Sequence, residues 1–171
     1  IMWKTGHSFI KAKVREEKAI FGGELSGHFF FVDNFYGHDD GALASLRLLA
    51  YLTRVNKSLK KVISELPQYF SSPEIKVGCA DNIKFSVVID KIGGEIKKLY
   101  PGAKYVEIDG VRMDTKEKML IIRASQNGPY LTIKFEGKTQ KKYDELKHQV
   151  GKILHSLKEI DFSSGVNVSS L

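Results

Sequence analysis

Lys118-Met119-Leu120-Ile121-Ile122-Arg123-Ala124-Ser125-Gln126-Asn127-Gly128-Pro129 is the stretch from which the fold is most readily deduced. Residues 118–124 form a strand-like apolar run, and residues 129–136 alternate apolar and polar side chains as a second strand would. The polar residues between the two runs, with Asn127-Gly128 as a turn former, suit a hairpin loop. The stretch therefore predicts two strands of one sheet, joined by a polar turn.

The flanking sequence completes this part of the fold. Apolar residues from Phe85 to Leu99 recur at helical spacing after Asp81, a natural N-cap. Residues 104–109 and 111–115 are further strand candidates, and apolar positions from Tyr143 to Leu157 mark a closing amphipathic helix. These elements predict an α+β domain in which helices cover one face of an antiparallel sheet.

The pattern breaks between Pro67 and Pro73, and we divide the chain there. Residues 68–73 are predicted to be a linker, because proline disfavours helix at the residue before it. Residues 74–162 form the second domain, which opens with a strand over 74–79, and the Ser-rich residues 163–171 are predicted to fray. Before the break we predict helices and strands in the order helix 8–17, strand 19–22, strand 28–33, helix 42–55 and helix 58–66.

Composition and charge limit the function classes. The chain has 171 residues, of which 42% are apolar, and its one cysteine, Cys79, excludes an intrachain disulfide. We interpret Cys79 as a buried apolar residue and expect a cytoplasmic protein without a membrane span. The net charge of +7 divides into +3 for residues 1–71 (10 basic, 7 acidic) and +4 for residues 72–171 (17 basic, 13 acidic). Because the excess is not gathered into a stripe, we expect no nucleic-acid partner.

The loop Gly22-Gly23-Glu24-Leu25-Ser26-Gly27-His28 carries the first candidate site. In an extended segment Glu24, Ser26 and His28 project to the same side. A carboxylate and a hydroxyl can hold sugar hydroxyls, and an imidazole can transfer a proton near neutral pH. The alternative interpretation is a polar hairpin connection whose glycines permit unusual backbone angles.

The loop Arg123-Ala124-Ser125-Gln126-Asn127-Gly128-Pro129 carries the second candidate site. Arginine can bind a phosphate with two parallel hydrogen bonds, and a hydroxyl and turn amides can supply further donors. The alternative is an ordinary hairpin loop. Taken together, the two loops point to one ligand, a phosphorylated sugar.

Two other polar segments have simpler interpretations. In Thr5-Gly6-His7-Ser8, either His7 or Ser8 could cap a following helix. His38-Asp39-Asp40-Gly41 has the residue types of a metal cluster, but we interpret its acids as caps of the next helix. We therefore predict no metal ligand in this chain.

Several motifs together resemble a known family. Trp3-Lys4-Thr5-Gly6-His7-Ser8, then Phe21-Gly22-Gly23-Glu24-Leu25-Ser26-Gly27-His28 with the trailing Asp39-Asp40-Gly41, resembles the third domain of bacterial phosphomannomutase/phosphoglucomutase, of the α-D-phosphohexomutase superfamily. Asp109-Gly110-Val111-Arg112 and Arg123-Ala124-Ser125 resemble its fourth domain. The resemblance covers nearly the whole chain in the right order. It implies a partial α/β domain followed by a small α+β domain similar to the TATA-binding protein.

The resemblance also implies a mechanism. In this family a phosphoserine donates its phosphoryl group to a hexose phosphate, and the resulting 1,6-bisphosphate returns the other phosphoryl group, with Mg²⁺ assisting. By this resemblance Glu24 and Ser26 bind sugar hydroxyls, and His28 and His7 face the reaction centre, where they could transfer protons.

By the same resemblance the second loop anchors the phosphate that is not transferred, through Arg123, Ser125, Gln126 and Asn127. The family commonly reads Ser-Asn-Thr where this chain has Ser125-Gln126-Asn127, and Met where it has Leu25. Both Gln126 and Asn127 can still donate hydrogen bonds.

Nothing in the sequence resembles the family's active-serine loop or its Asp-rich Mg²⁺ loop. The resemblance therefore implies the C-terminal segment of a mutase, which binds no cofactor of its own, has the N-terminal domains of the same enzyme as its partner, and is inactive alone. The alternative is a non-enzymatic basic module for phosphate or nucleic acid, which predicts aromatic side chains on an exposed sheet face or a basic stripe.

Overall fold

A computed structural model describes all residues from Ile1 to Leu171 and divides them into two compact units. The first unit is Ile1–Pro67 and the second is Gln68–Leu171. Each unit is described separately below. None of the helices combines the length and the apolar character that crossing a membrane requires.

The first unit consists of three helices and a two-stranded antiparallel hairpin. Asp40 and Ser58 begin two of the helices as N-caps, accepting hydrogen bonds from Leu43 N (2.8 Å) and Lys61 N (3.3 Å). The predicted caps His7 and Ser8 do not form, because the first helix begins at His7 itself after Gly6. The elements in chain order are α1 (His7–Glu16), β1 (Phe21–Gly23), β2 (Phe29–Phe31), α2 (Gly41–Val55) and α3 (Leu59–Ser64).

Little of the first unit is buried. Its buried apolar side chains are Val14 of α1 and Phe30 of β2, of which only Phe30 is fully buried. Helix α2 has the apolar face that its sequence predicts, but none of its residues is buried, and Leu46 and Leu49 are exposed. This unit therefore presents a large apolar surface on α2.

The second unit is a seven-stranded antiparallel sheet with helices. The elements in chain order are β3 (Phe70–Ser71), β4 (Ile75–Gly78), α4 (Lys84–Ser86), α5 (Gly93–Leu99), β5 (Lys104–Val106), β6 (Val111–Asp114), β7 (Lys118–Ala124), β8 (Tyr130–Gly137), α6 (Gln140–His155) and β9 (Asp161–Val166). A π-helical turn at Val87–Ile92 lies between α4 and α5. The strand order in the sheet is β5-β6-β7-β8-β4-β9, and β3 pairs with β8 beside this path.

The core of the second unit lies between one sheet face and the helices. Strands β7 and β8 alternate buried and half-buried residues, so every second side chain points to the core. The buried members of both strands form one cluster with side chains of the π-helical turn, α5 and α6. The predicted α+β arrangement, with helices on one face of an antiparallel sheet, is therefore confirmed.

Three predictions about this unit are wrong. The linker contains β3, whose Phe70 and Ser71 pair with Gly137 and Glu136. The tail does not fray, because β9 pairs with β4 through Lys76–Val166 and Gly78–Asp161, and a 3-10 turn at Val168–Ser170 follows. Asp81 is not an N-cap, because its carboxylate accepts from the ammonium group of Lys84.

Candidate functional site

The loop between β1 and β2 is a tight turn. Glu24 N donates to His28 O (2.9 Å) and Gly27 N donates to Glu24 O (3.1 Å). Gly27 has a φ of +89°, a region that suits glycine. The prediction that Glu24 and Ser26 share one side of an extended segment is wrong, because this turn reverses the chain and leaves Ser26 exposed at its tip.

The carboxylate of Glu24 is only half satisfied. Its Oε2 accepts a hydrogen bond from Gly6 N (3.1 Å), immediately before α1. Its Oε1 is buried and has no hydrogen-bond partner. A buried carboxylate oxygen without a donor costs free energy, which any hydrogen-bond donor brought within reach would recover.

His28 is held by Asp39. The Nδ1 atom of His28 lies 2.5 Å from Asp39 Oδ2, and Asp39 Oδ1 accepts from Phe29 N (2.9 Å). The ring of His7 meets that of His28 edge-on, with 5.5 Å between centroids, and His7 Nε2 is 3.9 Å from Asp39 Oδ2. The structure thus brings both predicted histidines together around one carboxylate.

This contact shifts two pKa values in opposite directions. The hydrogen bond to Asp39 raises the pKa of His28 above its ordinary 6.5, although partial burial opposes the shift. The same bond, with that from Phe29 N, lowers the pKa of Asp39 below 3.8. The stabilisation through His28 is therefore complete below pH 6.5 and is lost as pH rises through its folded-state pKa. The stabilisation through Asp39 is present above pH 3.8 and is lost as pH falls through its folded-state pKa.

We expect Asp39→Asn to lower the pKa of His28, because the substitution removes the negative charge next to Nδ1 while the partial burial of the ring remains. Proton-detected NMR of the histidine rings, recorded across a pH series, measures this pKa directly. Asp33→Asn is the matched control, since Asp33 binds Arg47 (3.0 Å) and not a histidine. An unchanged His28 titration in Asp39→Asn would show that the ion pair is absent in solution.

In the second unit Arg123 lies on the sheet face opposite to the core. Its Nη1 donates to Asp109 Oδ2 (3.0 Å), and its Nη2 lies 3.5 Å from Thr132 Oγ1. Asp109 precedes Gly110, which packs directly on the backbone of Ile122 and Arg123. The guanidinium group is therefore fixed from one side by a carboxylate on the neighbouring turn.

The turn after β7 has its own hydrogen bonds. Asn127 N donates to Ser125 Oγ (3.1 Å), and Ser125 N donates to Tyr130 O (3.0 Å). Ser125 is buried, while its hydroxyl proton is still available for donation. The amides of Gln126 and Gly128 donate to no protein acceptor, so the turn has two backbone N–H groups left for another acceptor.

The alternative of a nucleic-acid module predicts aromatic side chains on an exposed sheet face, and the two candidates on β8 lie on opposite faces. Tyr130 lies on the outer face of β8, next to Lys76 (5.2 Å from the ring), whereas Phe135 is fully buried on the other face. On this strand, therefore, only Tyr130 is placed where it could stack on a base.

The residues of this chain do not fit a Mg²⁺ site. No group of three or more His, Cys, Asp and Glu side chains is arranged to hold a metal ion. In the segment that looked like a metal cluster, Asp39 binds His28 and Phe29 N, while Asp40 caps α2. The interpretation of Asp40 as a cap is confirmed, and that of Asp39 is wrong.

The chain is similar to proteins of one known family. Residues 1–70 match the family described as phosphoglucomutase/phosphomannomutase, alpha/beta/alpha domain III. Similar curated proteins include the phosphomannomutase/phosphoglucomutase of Pseudomonas aeruginosa, 36% identical over 86% of this chain and 31% of the relative. The phosphoglucomutase of Neisseria meningitidis serogroup A is 34% identical over 91% of this chain and 34% of the relative.

A solved structure agrees. A phosphoglucomutase/phosphomannomutase family protein from Burkholderia thailandensis superposes with a TM-score of 0.77, at 36% identity over 91% of this chain and 32% of that one. Residues 1–70 belong to domain III of the phosphoglucomutase/phosphomannomutase family, and most of the chain aligns with members of that family. The chain spans about a third of the length of the relatives it matches.

Within this family assignment, three residues near the candidate sites were not found from sequence. Asp39 holds His28, Asp109 holds Arg123, and the buried Lys84 donates to carbonyl groups of the turn after β7. The sequence contains one indication of the role of Asp39. A helix needs a single N-cap but two consecutive acids precede α2, so one of them is left for another contact. The sequence also contains an indication for Lys84. It lies three and four positions before Val87 and Val88, on the apolar face of the predicted helix, where a lysine would be buried.

Proposed function

We propose that this chain is the sugar- and phosphate-binding part of a phosphohexomutase that interconverts hexose 1-phosphate and hexose 6-phosphate, with mannose or glucose as the sugar. The reaction would proceed through a phosphoserine and a bound 1,6-bisphosphate. The first unit would bind sugar hydroxyls, and the second would bind a phosphate group. This proposal extends the family assignment to a substrate and to a division of roles between the units.

The observation that carries the proposal is the buried, unpartnered Oε1 of Glu24. A carboxylate in this state needs a donor, and the hydroxyl groups of a sugar ring are donors of suitable strength. The adjacent Oε2 is held by Gly6 N, so the carboxylate has a fixed orientation before any ligand arrives. Exposed Ser26, on the same turn, is available as a second hydroxyl-binding group.

The histidine pair supplies a route for protons. Because Asp39 binds Nδ1 of His28, the Nε2 atom of that ring is the one left for a substrate. When the ring is neutral, Nε2 can accept a proton from a sugar hydroxyl, and when it is charged, Nε2 can donate one. The raised pKa of His28 increases the fraction of charged rings near neutral pH, and thus favours donation.

The second unit supplies a rigid anion site. The Asp109 contact orients the guanidinium group of Arg123, and the free amides of Gln126 and Gly128 lie on the turn that follows β7. A phosphate can accept from all of these donors. Ser125 and Asn127 belong to the same turn, where the hydrogen bond between them fixes its shape.

The phosphoserine and Mg²⁺ of the proposed reaction are assigned to other parts of the enzyme, since the relatives are about three times as long as this chain. Those other domains are also the partner that we propose. The exposed leucines of α2 are consistent with a surface that packs against further protein. A cytoplasmic location stays a prediction from the single cysteine.

Titration of the isotope-labelled chain with glucose 6-phosphate and mannose 1-phosphate tests the proposal. We expect amide shifts at Glu24–His28 and at Arg123–Gly128 with both esters, because each contains hydroxyls and a phosphate. Inorganic phosphate should shift only the second loop, and free glucose only the first. Shifts in neither loop at millimolar hexose phosphate would contradict the proposal.

A further inference from the structure

Lys84 is a buried lysine whose ammonium group contacts the turn after β7. The side chain is 8% exposed, and its Nζ donates to Ser125 O (2.5 Å), to Gly128 O (3.0 Å) and to Asp81 Oδ1 (2.7 Å). An ammonium group has three protons, so these three acceptors use all of its donors. Two of the acceptors are main-chain carbonyl groups of a single four-residue turn.

The contact with Ser125 O determines which way the peptide group between Ser125 and Gln126 points. All peptide bonds of the chain are trans, and in a trans peptide the C=O and the following N–H point in opposite directions. Because Lys84 draws the carbonyl of Ser125 inward, the amide of Gln126 is turned away from Lys84. This amide is one of the two in the turn that have no protein acceptor.

The contact also links the turn to another element. Lys84 begins α4, 41 residues before Ser125 in the sequence. Within the turn, Asn127 N donates to Ser125 Oγ and Tyr130 N donates to Gly128 O, but neither bond involves the carbonyl of Ser125. The hydrogen bond from Lys84 engages this carbonyl, and it is in place before a ligand binds.

We infer that Lys84 is a positioning residue for phosphate binding: it holds the 125–128 turn in the orientation that directs the Gln126 amide toward an anion. The inference rests on the proposed function, which assigns the phosphate to this turn. Lys84 itself does not touch the phosphate in this account. It acts through the two carbonyl groups.

The experiment is a titration of the full chain with inorganic phosphate, followed by amide chemical shifts, for the unmodified protein and for Lys84→Met. Methionine keeps much of the side-chain volume but has no donor, so Ser125 O loses its partner and Gly128 O keeps only the bond from Tyr130 N (2.9 Å). We expect the dissociation constant for phosphate to rise about tenfold or more, since a misdirected donor weakens binding steeply. The phosphate-dependent shift of the Gln126 amide should disappear, while the core amides of Ile133 and Phe135 keep their positions.

Two controls separate positioning from charge and from stability. Lys134→Met removes another lysine of the same sheet, one that donates to Ser72 O (2.8 Å) and not to the turn, so it matches the charge change. Asp81→Asn weakens the ion pair of Lys84 but keeps both carbonyl contacts. We expect less than a twofold change in phosphate affinity for either control, since neither substitution removes a contact with the turn and the effect of a distant charge is screened by salt.

The outcomes distinguish this inference from the proposed function. If phosphate shifts no amide of the turn in the unmodified chain, the proposed phosphate site is wrong. If it does shift them, and folded Lys84→Met binds with unchanged affinity and an unchanged Gln126 response, the inference about Lys84 is overturned. Should Lys84→Met not fold, Lys84→Arg takes its place, because its bulkier planar group keeps the charge but cannot place its donors on the same points. Unchanged affinity in Lys84→Arg together with an altered Gln126 shift would also overturn the inference.

Discussion

Gly110→Ala is expected to destabilise the second unit by about 3 kcal/mol or more, the sum of backbone strain and overpacking. Gly110 has a φ of +139°, which side-chain-bearing residues rarely adopt. A Cβ atom there would lie 2.2 Å from Ile122 O and 2.8 Å from Arg123 Cα. Both are backbone atoms of β7, so relief requires the whole turn to move. Urea unfolding followed by far-UV circular dichroism measures the loss.

The same substitution should also weaken phosphate binding, because the displaced turn carries Asp109, the partner of Arg123. Gly94→Ala is the matched control, since a Cβ atom there meets nothing within 4 Å and the residue is helical. Alanine at that position should stabilise the protein by up to about 1 kcal/mol. Equal unfolding midpoints for Gly110→Ala and the unmodified chain would contradict the close packing at this turn.

Arg123→Met is expected to weaken phosphate binding by roughly tenfold to a hundredfold, the range for losing a hydrogen bond to a charged group. The substitution removes the guanidinium group, which can bind a phosphate through two parallel hydrogen bonds. The donors that remain, the backbone amides of Gln126 and Gly128, are neutral. Isothermal titration of the full chain with glucose 6-phosphate gives the dissociation constant. Arg123→Lys keeps the charge but loses the paired donors of the guanidinium group. Its dissociation constant should lie between those of the unmodified chain and Arg123→Met.

Arg112→Met controls for the loss of one positive charge. Arg112 is on the adjacent strand β6, where Asp114 engages it at 2.7 and 2.8 Å. Its guanidinium group is thus occupied within its own strand, and we expect phosphate affinity to change by less than about twofold. If Arg112→Met and Arg123→Met weakened binding equally, the effect would be one of overall charge and not of a specific site.

The regular parts of the fold could be predicted from sequence because their periodicity is strong. Strand β7 was predicted at residues 118–124 and is found there, since alternate side chains enter the core. Strand β9 was missed because Asp161–Val166 has two serines and a glycine, and its pairing with β4 depends on residues about 85 positions away. The π-helical turn at Val87–Ile92 has no sequence signal that distinguishes it from an ordinary helix.

The candidate site, too, could be predicted only in part. Local patterns identified the two loops, because glycines and polar residues next to apolar runs mark binding turns. The residues that hold the side chains in place were not identified, since Asp39 and Asp109 lie 11 and 14 positions from His28 and Arg123. Such contacts depend on how separate elements pack, and a single sequence does not contain that information.

The pairing of β9 has a consequence for the chain's behaviour at high concentration. β4 has β8 on one side and β9 on the other, so β9 covers what would otherwise be an open sheet edge. β9 pairs with β4 at only two positions, and its register shifts between them, which makes it a poor template for another molecule. Proteolytic trimming of the last eleven or so residues would expose β4. Two trimmed molecules could then associate edge to edge through their main chains, and the segment that looks most dispensable would thus protect the domain from aggregation.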